Sequence, residues 1–285
     1  MIAVTGATGQ LGRLVINALL KKVPASEIIA AVRNPEKASD LAALGIQVRK
    51  ADYSQPATLD SAFQGVDKLL LISSSEVGQR VAQHAAVIEA AKRAGVKLLA
   101  YTSLLHADKS PLGLGEEHRA TEALLRESGL PVVLLRNGWY TENYAASIAP
   151  ALAHSAFIGS VGKGRIASAT REDYAEAAAV TLTQDNQAGK VYELAGDDSY
   201  TLAEFSAEIA RQSGKPVVYQ DLPEADFRQA LIGAGLPEGF ASLLADSDAG
   251  AAKGGLFDDS HTLSKLIGRP TTPYAKVIAA TLAAL

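Results

Sequence analysis

Glycines at positions 6, 9 and 12 stand between a short β-branched run, residues 2–5, and an apolar-periodic stretch in which Leu11, Val15, Ala18 and Leu19 fall on or near one helical face. A strand that turns into a helix through Gly6-Ala7-Thr8-Gly9-Gln10-Leu11-Gly12 can bind a diphosphate with its backbone alone. Gly6 permits the tight turn, Gly9 lets N–H groups approach the anion without a Cβ in the way, and Gly12 lets the helix pack closely on the strand. The helix N-terminus then faces the negative charge. Arg33 ends the second predicted strand, where NAD-binding members of this architecture carry a carboxylate for the ribose 2′-hydroxyl. A guanidinium there offers a planar fork of donors and a permanent charge, which suits a 2′-phosphate. Together the loop and Arg33 predict NADPH as the cofactor, with Lys37 assisting from the next helix. A glycine-rich turn without ligand and a solvated strand-end arginine are the plainer readings of the same residues.

The acid and base that usually accompany such a loop are missing. Short-chain reductases commonly set a Tyr four residues before a Lys on one helix, so that the ammonium lowers the phenol pKa and the phenol transfers a proton. None of the 9 tyrosines has a Lys four residues later. In the helix that should carry the pair, Leu114 takes the tyrosine place and His118 the lysine place. His118 is the one candidate proton donor, and a solvated helical histidine is its alternative reading. Hydride delivery to an acceptor that needs little proton help survives this loss. Quinones are such acceptors, since reduction makes them moderately acidic phenols that water can protonate, while the protein supplies proximity and orientation.

These residues need a scaffold, and the first half of the chain has its pattern. Strands are predicted at 2–5, 28–33, 47–51, 68–73, 97–102 and 131–136, alternating with helices at 11–22, 35–43, 57–63, 77–94 and 116–128. The run Leu69-Leu70-Leu71-Ile72 is apolar on both faces, as a central strand covered by helices should be. The expected fold is α/β: a Rossmann-type doubly wound parallel sheet with a smaller, mostly helical C-terminal cap. Residues 1–136 with roughly 165–197 form the NADP-binding domain in this reading, and 137–164 with 198–285 form the acceptor-binding cap over the sheet's carboxyl edge.

Composition narrows the partners. With 27 Lys+Arg against 31 Asp+Glu and no basic tract, neither nucleic acid nor an anionic membrane is an expected partner. The apolar runs are too short to span a bilayer, and no secretory pattern opens the chain. The absence of cysteine excludes disulfides, thiolate-bound zinc, iron–sulfur clusters and a cysteine nucleophile, and fits a cytoplasmic location. The sequence carries no signal of oligomeric state.

Several stretches together carry a family resemblance: VTGATGQLG at the start, VRNPEKA after strand two, LLLISSSEVGQR after strand four, YTSLLHAD after strand five, LLRNGWYTENY after strand six, and KGGLFDDS with TLSKLIG near the C-terminus. The chain resembles the NmrA-like atypical short-chain dehydrogenases, and among them the bacterial type 2 NAD(P)H:quinone oxidoreductases. The resemblance implies two-electron hydride transfer from NADPH to a quinone without flavin or metal. It implies that Gly6, Ala7, Thr8, Gly9, Gln10 and Leu11 cradle the pyrophosphate, that Arg33 meets the 2′-phosphate, and that Ser73, Ser74 and Ser75 line the cofactor. Asn137, Gly138, Trp139, Tyr140, Thr141 and Glu142 would border the nicotinamide, with Arg171 also near the cofactor and Asn143 and Tyr144 orienting the acceptor. Core packing of Trp139 and Tyr140 and helix capping around Arg171 are the plain alternatives for those positions.

Two rival functions share these motifs: a non-catalytic NADP-binding redox sensor of the NmrA-like type, and a reductase of another conjugated electrophile, as in the related triphenylmethane reductases. The choice of NADPH as cofactor rests on Arg33 binding phosphate. A charge-assisted contact is worth about 1.5–3 kcal/mol, so Arg33→Ala is expected to weaken NADPH about 10- to 100-fold and leave NADH nearly untouched. Calorimetric titration of both cofactors checks this, and equal losses for the two would remove Arg33 from the phosphate site.

Overall fold

The computed structural model describes residues 1–285. In chain order the strands are β1 (Ile2–Thr5), β2 (Ile28–Val32), β3 (Gln47–Lys50), β4 (Lys68–Leu71), β5 (Leu98–Leu104), β6 (Val132–Asn137), β7 (Ala156–Gly159), β8 (Val191–Leu194) and β9 (Val218–Asp221). Every residue of β1, β2 and β5 is buried; the runs are mostly apolar, and polar side chains among them such as Thr5 and Ser103 are hydrogen-bonded. These strands form the middle of a 7-stranded sheet with order β3-β2-β1-β4-β5-β6-β8. Parallel pairing sets Ile2 beside both Ile28 and Lys68, and Leu70 beside Ala100. β1 therefore lies between β2 and β4, and the carboxyl ends of β1 and β4 stand together at the point where the strand order reverses. Open α/β sheets bind their ligands at such a point.

The helices are α1 (Gln10–Leu20), α2 (Ser39–Ala43), α3 (Pro56–Ala62), α4 (Arg80–Ala94), α5 (Leu114–Glu127), α6 (Thr141–Ala145), α7 (Ile148–His154), α8 (Arg171–Thr183), α9 (Leu202–Ser213), α10 (Glu224–Gly233), α11 (Glu238–Ala252), α12 (Thr262–Ile267) and α13 (Tyr274–Ala283). Two predicted helices are shorter in the structure. The segment expected as one helix at 35–43 is a tight turn, Pro35–Ala38, followed by α2, because the Asn34 side chain caps the turn by accepting from the Glu36 N–H. The helix expected from 77 begins at Arg80, since residues 74–79 form a loop in which the Ser74 hydroxyl accepts the Glu76 N–H and the Glu117 carboxylate accepts the Gly78 N–H. None of the helices is long and apolar enough to cross a membrane.

The chain divides into two compact units. The first comprises Met1–Ser103, Glu117–Asn137 and Arg171–Tyr192, and the second Leu104–Glu116, Gly138–Thr170 and Glu193–Leu285. In the first, Phe63, Leu69, Leu71, Val87 and Tyr101 anchor a core between sheet and helices. On the other side, α1 packs against α8, an alanine-rich helix buried around most of its circumference. The second unit holds an aromatic core of Trp139, Tyr144, Phe157, Tyr200 and Phe205. It also contains a short parallel pair, β7 with β9, that the expectation of a mostly helical region did not include. Its α9 opens with a reciprocal capping box, in which Thr201 Oγ1 accepts the Glu204 N–H and the Glu204 carboxylate accepts the Thr201 N–H.

The approach of α1 to β1 is very close. A Cβ at Gly12 would lie 2.3 Å from the Gly6 carbonyl oxygen and 2.7 Å from Ala7 Cα, so only glycine fits. Gly12→Ala is expected to cost about 1–3 kcal/mol, read as a lower urea midpoint. Gly233→Ala, at a helical position with no atom within 4 Å of its added Cβ, is the control and should be neutral or slightly stabilising. Equal midpoints for the two variants would show that the helix is free to move off the strand.

Candidate functional site

The loop from β1 to α1 closes on itself through Gly9 N–H donating to Gly6 O at 2.9 Å, with Gly6 at φ 58°. Gly9 caps α1 with no side-chain acceptor, and the first turn carries no acidic residue. The leading N–H groups of α1 are thus left for an external anion, with the helix dipole favouring it. Ala7 is fully buried and backs the loop, while Gly6, Gly9 and Gln10 are exposed.

Thr5 fixes this loop beside the end of β4. Its hydroxyl donates to Leu70 O at 3.0 Å and accepts the Ile72 N–H at 3.0 Å. The Tyr53 hydroxyl reaches Thr5 Oγ1 at 2.5 Å and Ile72 O at 2.9 Å, and burial pushes the phenol pKa upward, so it stays a donor. The result is a cavity of about 340 Å³ lined by Gly6, Thr8–Gly12, Arg33, Ala51–Tyr53, Ile72–Glu76 and Gln83. Of the residues singled out from sequence, the structure gathers here Gly6, Thr8, Gly9, Gln10, Leu11, Arg33, Ser73, Ser74 and Ser75. All belong to the first unit. Asp52, Tyr53, Glu76 and Gln83 also line it, and none of them had a sequence signal. They arrive on loops after β3 and β4 and on α4, and only the fold brings those elements to one place.

Arg33 follows β2 and extends into solvent, its side chain 73% exposed, with Nη1 2.9 Å from Glu76 Oε1. The serine loop is held from behind by buried polar groups. Ser73 N–H donates to Thr102 Oγ1 at 2.8 Å, Ser74 N–H to His84 Nε2 at 2.9 Å, and Arg80 Nε to Ser74 O at 2.7 Å. Burial, with a smaller push from the Arg80 charge, takes the His84 pKa down to about 3. A neutral ring is what the geometry requires, since Nε2 accepts from Ser74 and Nδ1 donates to Thr121 Oγ1 at 2.9 Å.

His118 lies in the same buried layer and not in solvent. The Tyr101 hydroxyl and His118 Nδ1 share a hydrogen bond at 2.7 Å, and burial, then the Arg80 charge, lowers the histidine pKa to about 3. On the same helix, Glu122 receives Arg136 through Nε at 2.9 Å and Nη2 at 2.7 Å, and Ser103 Oγ at 2.6 Å. This buried, bidentate pair ties α5 to β6. Asn137 ends β6 buried, its Oδ1 without a hydrogen-bond partner, and Arg171 opens α8 half-buried.

In the second unit, Gly138 N–H donates to Leu194 O at 2.8 Å and Thr141 N–H to Ala169 O at 2.9 Å, which sets the start of α6. Thr141 Oγ1 meets Ser168 Oγ at 2.8 Å, and Ser168 Oγ meets the Tyr200 hydroxyl at 2.6 Å. Trp139 and Tyr144 are packed in the aromatic core, 6.5 Å between ring centroids. The Tyr144 ring, expected to orient an acceptor, is buried instead, and its hydroxyl donates to Asp248 Oδ1 at 3.0 Å. Burial raises the Asp248 pKa to about 6. Tyr140, Glu142 and Asn143 are partly exposed.

The chain is 64% identical over 278 residues to quinone oxidoreductase 2 of Escherichia coli, covering 98% of this chain and 97% of that protein. It is 30% identical over 286 residues to an NAD(P)H azoreductase of Xenophilus azovorans, covering 100% of this chain and 99% of that one. Among solved structures, the NADPH complex of the E. coli NADPH-dependent quinone oxidoreductase matches with a TM-score of 0.97 at 63% identity, covering 99% and 100% of the two chains. The NADP(H) complex of the Citrobacter triphenylmethane reductase matches with a TM-score of 0.95 at 42% identity, covering 99% and 100%. The family model described as NmrA-like matches residues 1–269, and the chain belongs to the NmrA-like family.

Proposed function

We propose that the chain is an NADPH-dependent quinone reductase that passes two electrons, as one hydride, to a quinone. The observation that carries this reading is the near full-length likeness, at 64% identity, to E. coli quinone oxidoreductase 2. The cavity suits the cofactor on physical grounds as well. Its backbone cradle has no space for a Cβ at Gly12, its helix start lacks acidic residues, and a guanidinium stands at its rim. NADPH, when bound, supplies the hydride.

The chain's own residues bind, orient and exclude water. In this reading the N–H groups of residues 6–11 hold the pyrophosphate, Arg33 takes the 2′-phosphate, and Ser73, Ser74 and Ser75 line the cofactor on the β4 side. Asn137, Gly138, Trp139, Tyr140, Thr141 and Glu142 border the nicotinamide, Arg171 lies near the cofactor, and Asn143 orients the acceptor. Tyr144 serves from beneath, holding α6 through Asp248. His118 supplies no proton, because its Nδ1 is occupied by the Tyr101 hydroxyl and its pKa of about 3 leaves the ring neutral at working pH. Protons for the reduced acceptor come from water, and catalysis rests on proximity and alignment.

Mixing protein, NADPH and a simple benzoquinone, and following absorbance of the reduced cofactor above the uncatalysed rate, tests the activity. Saturable, enzyme-dependent oxidation is expected, and faster than with a triphenylmethane dye. Tight NADPH binding without turnover would overturn the reading in favour of a sensor, and preferential dye reduction in favour of the Citrobacter-like activity. A second measurement addresses the proton. His118→Gln is expected to keep kcat/KM within about threefold, with a flat profile between about pH 6 and 8 in both forms, whereas loss of a general acid would cost about 10²- to 10⁴-fold.

A further inference from the structure

Arg33, the only cationic side chain lining the cavity, already has an anion of the protein's own beside it. Glu76 Oε1 accepts Arg33 Nη1 at 2.9 Å, and Glu76 Oε2 accepts Gln83 Nε2 at 2.8 Å. The carboxylate is held in this orientation. Gln83 is buried, its own Oε1 receives the Ser74 hydroxyl, and Ser74 Oγ in turn accepts the Glu76 N–H at 3.1 Å. Arg33 and Glu76 come from loops after β2 and β4, on opposite sides of β1, so their contact bridges the cavity rim.

We propose that Glu76 is a cofactor-selecting residue, an internal competitor for the guanidinium that a 2′-phosphate requires. The inference rests on the reading of Arg33 as the 2′-phosphate partner. A phosphorylated cofactor must share Arg33 with Glu76 or draw it away, and in either case it places its dianion near a fixed carboxylate. An unphosphorylated cofactor asks nothing of Arg33 and leaves the ion pair in place. Glu76 therefore lowers affinity for NADPH selectively and narrows the gap between NADPH and NADH. The pair is exposed, 73% and 45% for the two side chains, which keeps the effect modest.

Calorimetric titration of NADPH and NADH into the wild type, Glu76→Gln, Arg33→Ala and the double variant tests this without turnover. The amide keeps an oxygen for Gln83 while removing the charge. Glu76→Gln is expected to tighten NADPH about 2- to 5-fold, to leave NADH unchanged, and to have no effect in the Arg33→Ala background. The gain should also shrink at high ionic strength. An unchanged NADPH affinity, an equal gain for both cofactors, or the same gain without Arg33 would each overturn the proposal. Should Arg33→Ala weaken NADPH while Glu76→Gln does nothing, only the role of Glu76 falls. Should Arg33→Ala leave NADPH binding intact, the phosphate reading of Arg33 falls and takes this proposal with it.

Discussion

The candidate site depends on how closely the start of α1 can approach the end of β1. That approach is fixed by backbone-to-backbone contact at Gly12, where even a methyl group would overlap the Gly6 carbonyl. It brings unpartnered N–H groups, aligned with a helix dipole, to the carboxyl edge of the sheet. The Thr5 hydroxyl extends the same constraint sideways, because one oxygen bonded to Leu70 O, the Ile72 N–H and the Tyr53 hydroxyl locks the β1 loop to the β4 loop. Moving either loop would leave buried polar groups without partners, at about 1–3 kcal/mol each. The candidate phosphate-binding surface is rigid for the same reason the sheet is.

Behind the β4 loop the protein invests in polar groups that stay neutral. His84 and His118 are buried with their pKa values near 3; His84 Nε2 accepts the Ser74 N–H, and His118 Nδ1 shares a hydrogen bond with the Tyr101 hydroxyl. Arg80 is the buried cation among them, bonded to Ser74 O and 3.4 Å from Glu117. Its charge is one reason the histidines do not protonate. The layer orders Ser73–Glu76 from within, so the chemistry of that loop toward a ligand is set by which groups its own backbone has already used.

Legibility from sequence followed the range of the interactions. The glycine loop and Arg33 were readable because spacing along one βαβ unit determines where they lie. Glu76, Gln83, Asp52 and Tyr53 were not, since their presence in the cavity depends on the strand order and no local pattern encodes it. Trp139 and Tyr144 carry a signal with two meanings: their place after a strand's carboxyl end points to a ligand, and the same aromatic rings pack in the second unit's core. Beyond its capped start around Arg171, helix α8 escaped detection because burial on nearly all sides leaves no amphipathic period to find. The β7–β9 pair did so because four-residue strands bounded by glycine and turn residues carry little signal of their own.

The replacement of the usual Tyr and Lys by Leu114 and His118 is more than the loss of two catalytic groups. A lysine at position 118 would sit in the buried layer beside Arg80, and the cost of two neighbouring buried cations would have to be met by an anion or by the cofactor. A neutral histidine avoids that cost and is fixed by one hydrogen bond to Tyr101. The site gives up the means to charge a phenol and gains a buried group that does not titrate in the neutral range. Such a site suits an acceptor whose reduced form holds its own negative charge well, and a conjugated dione meets that requirement where a simple ketone, which yields a strongly basic alkoxide, does not.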